Sequence, residues 1–144
     1  MENETPITFQ VLDAADPADV DRVHAGLRRH NEQFAESGYK PLFIFLRDGE
    51  GRLIGGILGD TYWGWLSVNT FWIDDRYRGR GYGERMLAAA EEEARRRGCA
   101  HVLLDTFSFQ ARPFYEKFGY WVYGTLEDFP VGIGHTRYYM TKDL

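Results

Sequence analysis

The order of apolar runs predicts a mixed α/β (α+β) fold, with a central, mostly antiparallel sheet flanked by helices. Three observations carry this. Apolar runs at residues 42–46 and 53–58 flank Asp48-Gly49-Glu50-Gly51, and an aspartate-glycine turn between two such runs signals a hairpin. A third run, residues 65–73, follows closely enough to pair antiparallel with the second. From there strand and helix patterns alternate to the end of the chain.

The elements follow in order. Residues 7–12 read as a first strand. Asp16-Pro17 then opens a helix, the aspartate as a capping side chain and the proline at the first helical position. Val20, Val23, Leu27 and Phe34 recur at helical spacing, which predicts an amphipathic helix or helix pair reaching about Glu36 and closed by Ser37-Gly38. Residues 84–97 place Met86, Leu87, Ala90 and Ala94 on one face, with Glu91, Glu92 and Glu93 each four residues before Arg95, Arg96 and Arg97. Those charges read as a solvated face with no function, since such pairs are worth only tenths of a kcal/mol. Gly98 is the stop. Residues 101–104 form a short buried strand, a helix surrounds Tyr115, and residues 120–126 and 136–140 make a final strand pair.

Composition narrows the function. A chain of 144 residues without repeats or a low-complexity linker is expected to be one domain, residues 1–144. No apolar run approaches the ~20 residues of a membrane span, and the acidic start, Met1-Glu2-Asn3-Glu4, is unlike a secretory signal. The single cysteine, Cys99, excludes an internal disulfide. A cytoplasmic protein without a membrane partner is the expectation. The net charge of −5 argues against nucleic acid as a partner and is compatible with a cationic substrate.

The richest motif is Arg78-Gly79-Arg80-Gly81-Tyr82-Gly83, between an apolar strand and a strongly helical segment. Glycines let backbone approach a ligand closely, and the free N–H groups of a helix start favour an anion. A dinucleotide fingerprint is excluded, because Glu84 and Met86 stand where its third glycine would be, and no Gly-Lys-Ser/Thr exists for a Walker loop. A tight turn with a basic rim is the plainer alternative.

Arg78, Gly81 and Gly83 make Arg-x-x-Gly-x-Gly, which resembles the acyl-CoA pyrophosphate loop of the GNAT acetyltransferases. Residues 108–120 resemble that family's second signature through Ala111, Tyr115, Lys117 and Gly119, with Phe114 and Tyr120 conservative, Ser108 in place of the usual Asn, and Pro113 added. Proline fits a first turn, so Pro113 is expected to shift that helix's start. The resemblance covers most of the chain, with residues before about 42 matching in pattern only.

It implies a GNAT-like sheet in which the strand before the loop and the strand after its helix run parallel and splay apart to admit pantetheine. It also implies acetyl-CoA as co-substrate and direct transfer to a primary amine of a small molecule or peptide, without a metal. Backbone N–H groups at 80–84, spanning Arg80, Gly81, Tyr82, Gly83 and Glu84, would hold the pyrophosphate, with Arg78 and Arg80 on its phosphates. Pantetheine would pair with backbone near Trp72 and Ile73, where an N–H would serve the oxyanion. Ser108 takes the place of a CoA-side hydrogen bond, and Tyr115 would be the general acid.

The base is less legible. Ser67-Val68-Asn69-Thr70-Phe71 contains no carboxylate. Asp105 is the candidate, directly or through water, and a turn cap before Thr106 and Ser108 is its alternative. His135 is a weaker option, and Cys99 as an acyl-enzyme nucleophile weaker still. Tyr62, Trp63 and Trp65, with Glu127 of the Glu127-Asp128-Phe129-Pro130 loop, are candidates for a cationic acceptor pocket; core packing or a homodimer interface is the other use of those aromatics. The rival to an enzyme is a non-enzymatic acyl-CoA-binding regulatory or interaction domain.

Overall fold

Asp16 starts the first element as its sequence requires. Its carboxylate accepts from the Ala18 N–H at 2.9 Å and caps α1 (Pro17–Asn31), whose last turn carries Arg28, Arg29 and His30 against the negative end of the helix dipole. The computed structural model describes residues 5–144, so the acidic start at residues 1–4 lies outside it. The chain divides into two compact units, one ending at Glu36 and one spanning Ser37–Leu144. In the first, α1 is a single helix ending at Asn31, short of the expected Glu36. The expected strand at residues 7–12 is absent. An alternating apolar run becomes a strand only when a neighbouring edge takes up its backbone hydrogen bonds, and no ladder includes these residues.

The second unit holds a six-stranded sheet of order β1-β2-β3-β4-β6-β5. Its strands are β1 (Lys40–Arg47), β2 (Leu53–Tyr62), β3 (Trp65–Ile73), β4 (His101–Phe107), β5 (Trp121–Glu127) and β6 (Thr136–Asp143). A 3-10 turn (Asp75–Tyr77) and α2 (Tyr82–Arg96) connect β3 to β4, and α3 (Arg112–Lys117) connects β4 to β5. All neighbours are antiparallel except β3 and β4. The predicted hairpin forms around Asp48, whose carboxylate accepts from the Glu50 and Arg52 N–H groups at 2.9 Å each.

The predicted apolar face of α2 packs on the sheet. Met86, Leu87, Ala90 and Ala94 are buried with Leu66, Val102, Leu104 and Met140. Its charged face is less uniform than expected. Glu92 and Glu93 pair with Arg95, Arg96 and Arg97, whereas Glu91 is buried and binds Lys142 Nζ of β6, at 2.9 Å for Oε2. Arg97 reaches the Lys40 and Pro41 carbonyls at 3.1 and 3.0 Å, tying α2 to β1.

Two irregularities open the sheet. In the β2–β3 ladder Leu58 pairs with Thr70 but Gly59 pairs with Val68, which leaves Asn69 as the extra residue of a bulge. Only glycine fits opposite it, because a Cβ on Gly59 would lie 2.3 Å from the Ser67 carbonyl oxygen. The parallel β3–β4 ladder then runs only through Trp65↔His101, Leu66↔Val102 and Ser67↔Leu103. Beyond it β3 stays with β2 to Ile73, and β4 stays with β6 to Phe107. Each strand follows its other partner, so a wedge opens between them.

Candidate active site

The wedge is a cavity of about 850 Å³ walled by β3 from Val68 to Ile73, the glycine loop, β4 from Leu104 to Phe107, and α3. Gly79 and Gly81 take φ values of +72° and +81°, the left-handed region that favours glycine. Gly81 is the N-cap of α2 and brings no side-chain cap, so the first N–H groups of the helix, at Tyr82, Gly83 and Glu84, face this end of the cavity without one. A Cβ on Gly83 would press on Phe114 at 3.3 Å and Ile73 at 3.4 Å, which explains glycine there.

The two arginines do different work. Arg78 lines the cavity, but its Nε donates to the Ile73 carbonyl at 2.9 Å and its Nη1 pairs with Asp75 at 2.9 Å, bracing the loop against the end of β3. Arg80 lies over the Tyr77 ring at 5.4 Å, outside the lining. Asp74 caps the intervening turn and binds Arg76, whose guanidinium holds the Asp74 carboxyl down at about 2. Trp72 and Ile73 lie in the β3 wall, where the strand has no ladder toward β4.

Tyr115 comes from α3, where Pro113 falls in the first turn as its chemistry demands. The tyrosine is 6% exposed and packs against Phe71, Phe114 and Tyr120. Burial, helped by the negative charge of Asp105, pushes its phenol up to about 12. It therefore stays protonated across the ordinary pH range and can act as a donor.

Asp105 stands in the opposite wall and is held by Arg137, Nε to Oδ2 at 2.8 Å. It caps no turn. That role belongs to Thr106, whose Oγ1 accepts from the Ala111 N–H at 3.2 Å, and to Gln110, whose Oε1 accepts from the Phe107 N–H at 3.0 Å. Arg137 lies among Phe107, Phe129 and Tyr139, with centroid distances of 5.4, 5.1 and 5.1 Å.

Other expected site residues are placed elsewhere. Ser108 turns toward the β5–β6 loop, its Oγ accepting from the Thr136 N–H at 3.1 Å and lying 2.9 Å from His135 Nδ1, and it is absent from the cavity lining. Its hydroxyl closes the end of β4 onto β6 instead. His135 packs edge-on against Phe109. Cys99 is buried outside the lining, and burial pushes its thiol up, away from a nucleophilic thiolate. Tyr62, Trp63 and Trp65 surround the β2–β3 turn and share a second hollow of about 630 Å³ with His101, Trp121 and Asp143. Glu127 is at the other end of β5 from Trp121, six residues along or roughly 20 Å at strand rise, so these four residues do not form one pocket.

Three residues of this region escaped the sequence reading. Asn69, the bulge residue, lines the cavity; its Nδ2 donates to Asp60 of β2 at 3.1 Å and its Oδ1 accepts from Ser67 at 2.8 Å. A carboxylate thus lies one strand behind the stretch that lacks one. Arg137 is the third. All are cross-strand neighbours, for which spacing along the chain carries no signal. Among the described residues no group of three or more His, Cys, Asp or Glu side chains is placed to hold a metal ion, and no helix is long and apolar enough to cross a membrane.

A bulged β3 splayed from a parallel β4, over a glycine loop that opens a helix, is the cleft that the resemblance to the GNAT acetyltransferases implies. The profile of the Acetyltransferase (GNAT) family matches residues 9–120, and the chain belongs to that family. It is 33% identical over 137 residues to an acetyltransferase of Agrobacterium fabrum, covering 94% of this chain and 98% of the other. It is 40% identical over 95 residues to the blasticidin-S acetyltransferase of Streptomyces morookaense, covering 65% and 68% respectively. The crystal structure of an acetyltransferase from Bacillus cereus superposes with a TM-score of 0.80 at 30% identity, over 94% of this chain and 98% of that one.

Proposed function

We propose that this protein transfers the acetyl group of acetyl-CoA directly to a primary amine of a small molecule or peptide. The observation that carries the reading is Tyr115, a phenol kept neutral by burial in the wall of a wedge that ends at an uncapped helix N-terminus. The residues present fit the co-substrate. The left-handed glycines and the N–H groups of Tyr82, Gly83 and Glu84 would take the pyrophosphate. The unladdered edge of β3 near Trp72 and Ile73 would take the pantetheine amides and supply an N–H to the oxyanion.

The thioester provides an activated acetyl carbon. The amine nitrogen attacks that carbon, a C–N bond forms, and the C–S bond breaks. Tyr115 gives its proton to the departing thiolate and is reprotonated from solvent. The proton lost by the amine goes to Asp105 or to water beside it, because Arg137 engages only Oδ2. No protein acyl intermediate is needed, in keeping with the buried Cys99. A cytoplasmic setting suits this co-substrate.

The test is acetyl-CoA binding by calorimetry, followed on the same sample by thiol release with polyamines, aminoglycosides, amino acids and peptides. Binding with turnover supports the transferase. Binding without turnover on any amine favours a non-enzymatic acyl-CoA-binding domain, and no binding overturns the reading of the Arg78–Gly83 loop.

A further inference from the structure

Asp105 lines the wedge, and Arg137, outside that lining, pairs with it on the same face of the sheet. The β4–β6 register sets Asp105 opposite Tyr139 and Phe107 opposite Arg137, so the two charges lie diagonally across neighbouring strands. Their contact is one-point, Nε to Oδ2 at 2.8 Å. A guanidinium carries five N–H donors in a planar fork, and among the described residues Arg137 Nη1 and Nη2 make no hydrogen bond to a protein acceptor. The fork is held in place by the ion pair and by the rings of Phe107, Phe129 and Tyr139. Arg137 and Asp105 are only 28% and 29% exposed, so a charge-assisted bond made there is less screened than one on the open surface.

This arrangement discriminates between acceptors. Asp105 is already neutralised by Arg137, so a simple ammonium meets a net-neutral pair and enters the half-buried mouth without compensation. A molecule bearing both an amine and a carboxylate adds one charge of each sign and leaves none unpaired. We infer that the acceptor is a zwitterion of the amino-acid type, its carboxylate read by the free edge of the Arg137 guanidinium and its amine directed into the wedge beside Asp105. This rests on the transferase reading above. Phe109 lines the cavity and Phe129 packs beside it on Phe107 and Arg137, where both would meet the rest of the molecule.

The test compares kcat/KM for common L-amino acids and β-alanine with that for their decarboxylated amines, each run on the native protein, Arg137→Met and Arg137→Lys. In the native protein at least one amino acid is expected to exceed its decarboxylated amine by tenfold or more. Arg137→Met should bring that ratio close to one, chiefly through KM of the acid, and Arg137→Lys should restore part of it. Acetyl-CoA binding by calorimetry serves as the folding control for both variants. A native protein that turns over amines with no carboxylate preference overturns this inference and leaves the transferase standing. A loss in Arg137→Met that falls equally on acid and amine assigns Arg137 to bracing Asp105 and overturns it too. Acetyl-CoA binding with no turnover on any amine overturns the transferase and this inference together.

Discussion

Tyr115 shows how much one residue's role depends on its surroundings. One tyrosine among nine has no claim to catalysis, and the Ala-x-x-x-Tyr-x-Lys-x-Gly spacing singled it out. The fold adds that burial and the nearby Asp105 charge keep its proton in place, as the proposed role requires. Tyr115→Phe should lower kcat by roughly a hundredfold or more, the usual contribution of a general acid, with little change in the acetyl-CoA dissociation constant by calorimetry. A collapse of acetyl-CoA binding instead would make Tyr115 an anchoring residue. Because the folded-state pKa is raised to about 12, ionisation of Tyr115 should not limit kcat below that pH. A pH–rate profile that falls near pH 9 would contradict it. Asp105 was legible as a candidate, but its partner Arg137, 32 residues away, was not. No spacing rule links residues joined only by the register of β4 on β6.

At the scale of elements, the wedge depends on the bulge in the β2–β3 ladder. Hairpin, helix and strand positions follow from turn residues and periodicity. The bulge does not, because Gly59 looks like any other glycine in a strand until the Ser67 carbonyl is seen beside it. Gly59→Ala should therefore cost about 3 kcal/mol or more, at the upper end for single substitutions, since backbone must move. Gly124→Ala in β5, where an added Cβ meets nothing within 4 Å, should change stability by about 0.5 kcal/mol at most. Chemical denaturation of the two variants checks this, and equal losses would remove the bulge's special role. At the start of α2, Gly81→Ala forces a Cβ into φ +81° at a strain of roughly 1–2 kcal/mol. That strain falls on the loop proposed to hold the pyrophosphate, so acetyl-CoA affinity should drop several-fold while the far end of the sheet is unaffected.

Across the whole molecule, the shifted groups set the pH range of stability. Tyr115 and Tyr120 are both buried, and burial raises both phenols. For an acid whose folded pKa is raised, the stabilisation is full below the unfolded value near 10 and is lost as pH climbs through the folded one. Asp48, Asp74 and Glu93 are lowered by their arginine partners, so their contribution is present above the ordinary carboxylate range and fades as pH falls toward about 2. Melting temperature should thus decline below about pH 4 and again above about pH 10. An alkaline decline beginning near neutrality would mean that the tyrosines are not the buried groups described.

The sequence by itself determined the kinds and order of most elements, the apolar face of α2, the position of the glycine loop and the candidacy of Tyr115. These depend on local periodicity, turn chemistry and short motifs. Tertiary structure alone decided that residues 7–12 form no strand, and that Glu91 turns inward to Lys142. It also parted Tyr62, Trp63 and Trp65 from Glu127, closed Ser108 onto β6, and set Arg137 beside Asp105. The physical reason is common to all of them. Each depends on which strand edge lies next to which and in what register, and that pairing is a property of the assembled sheet.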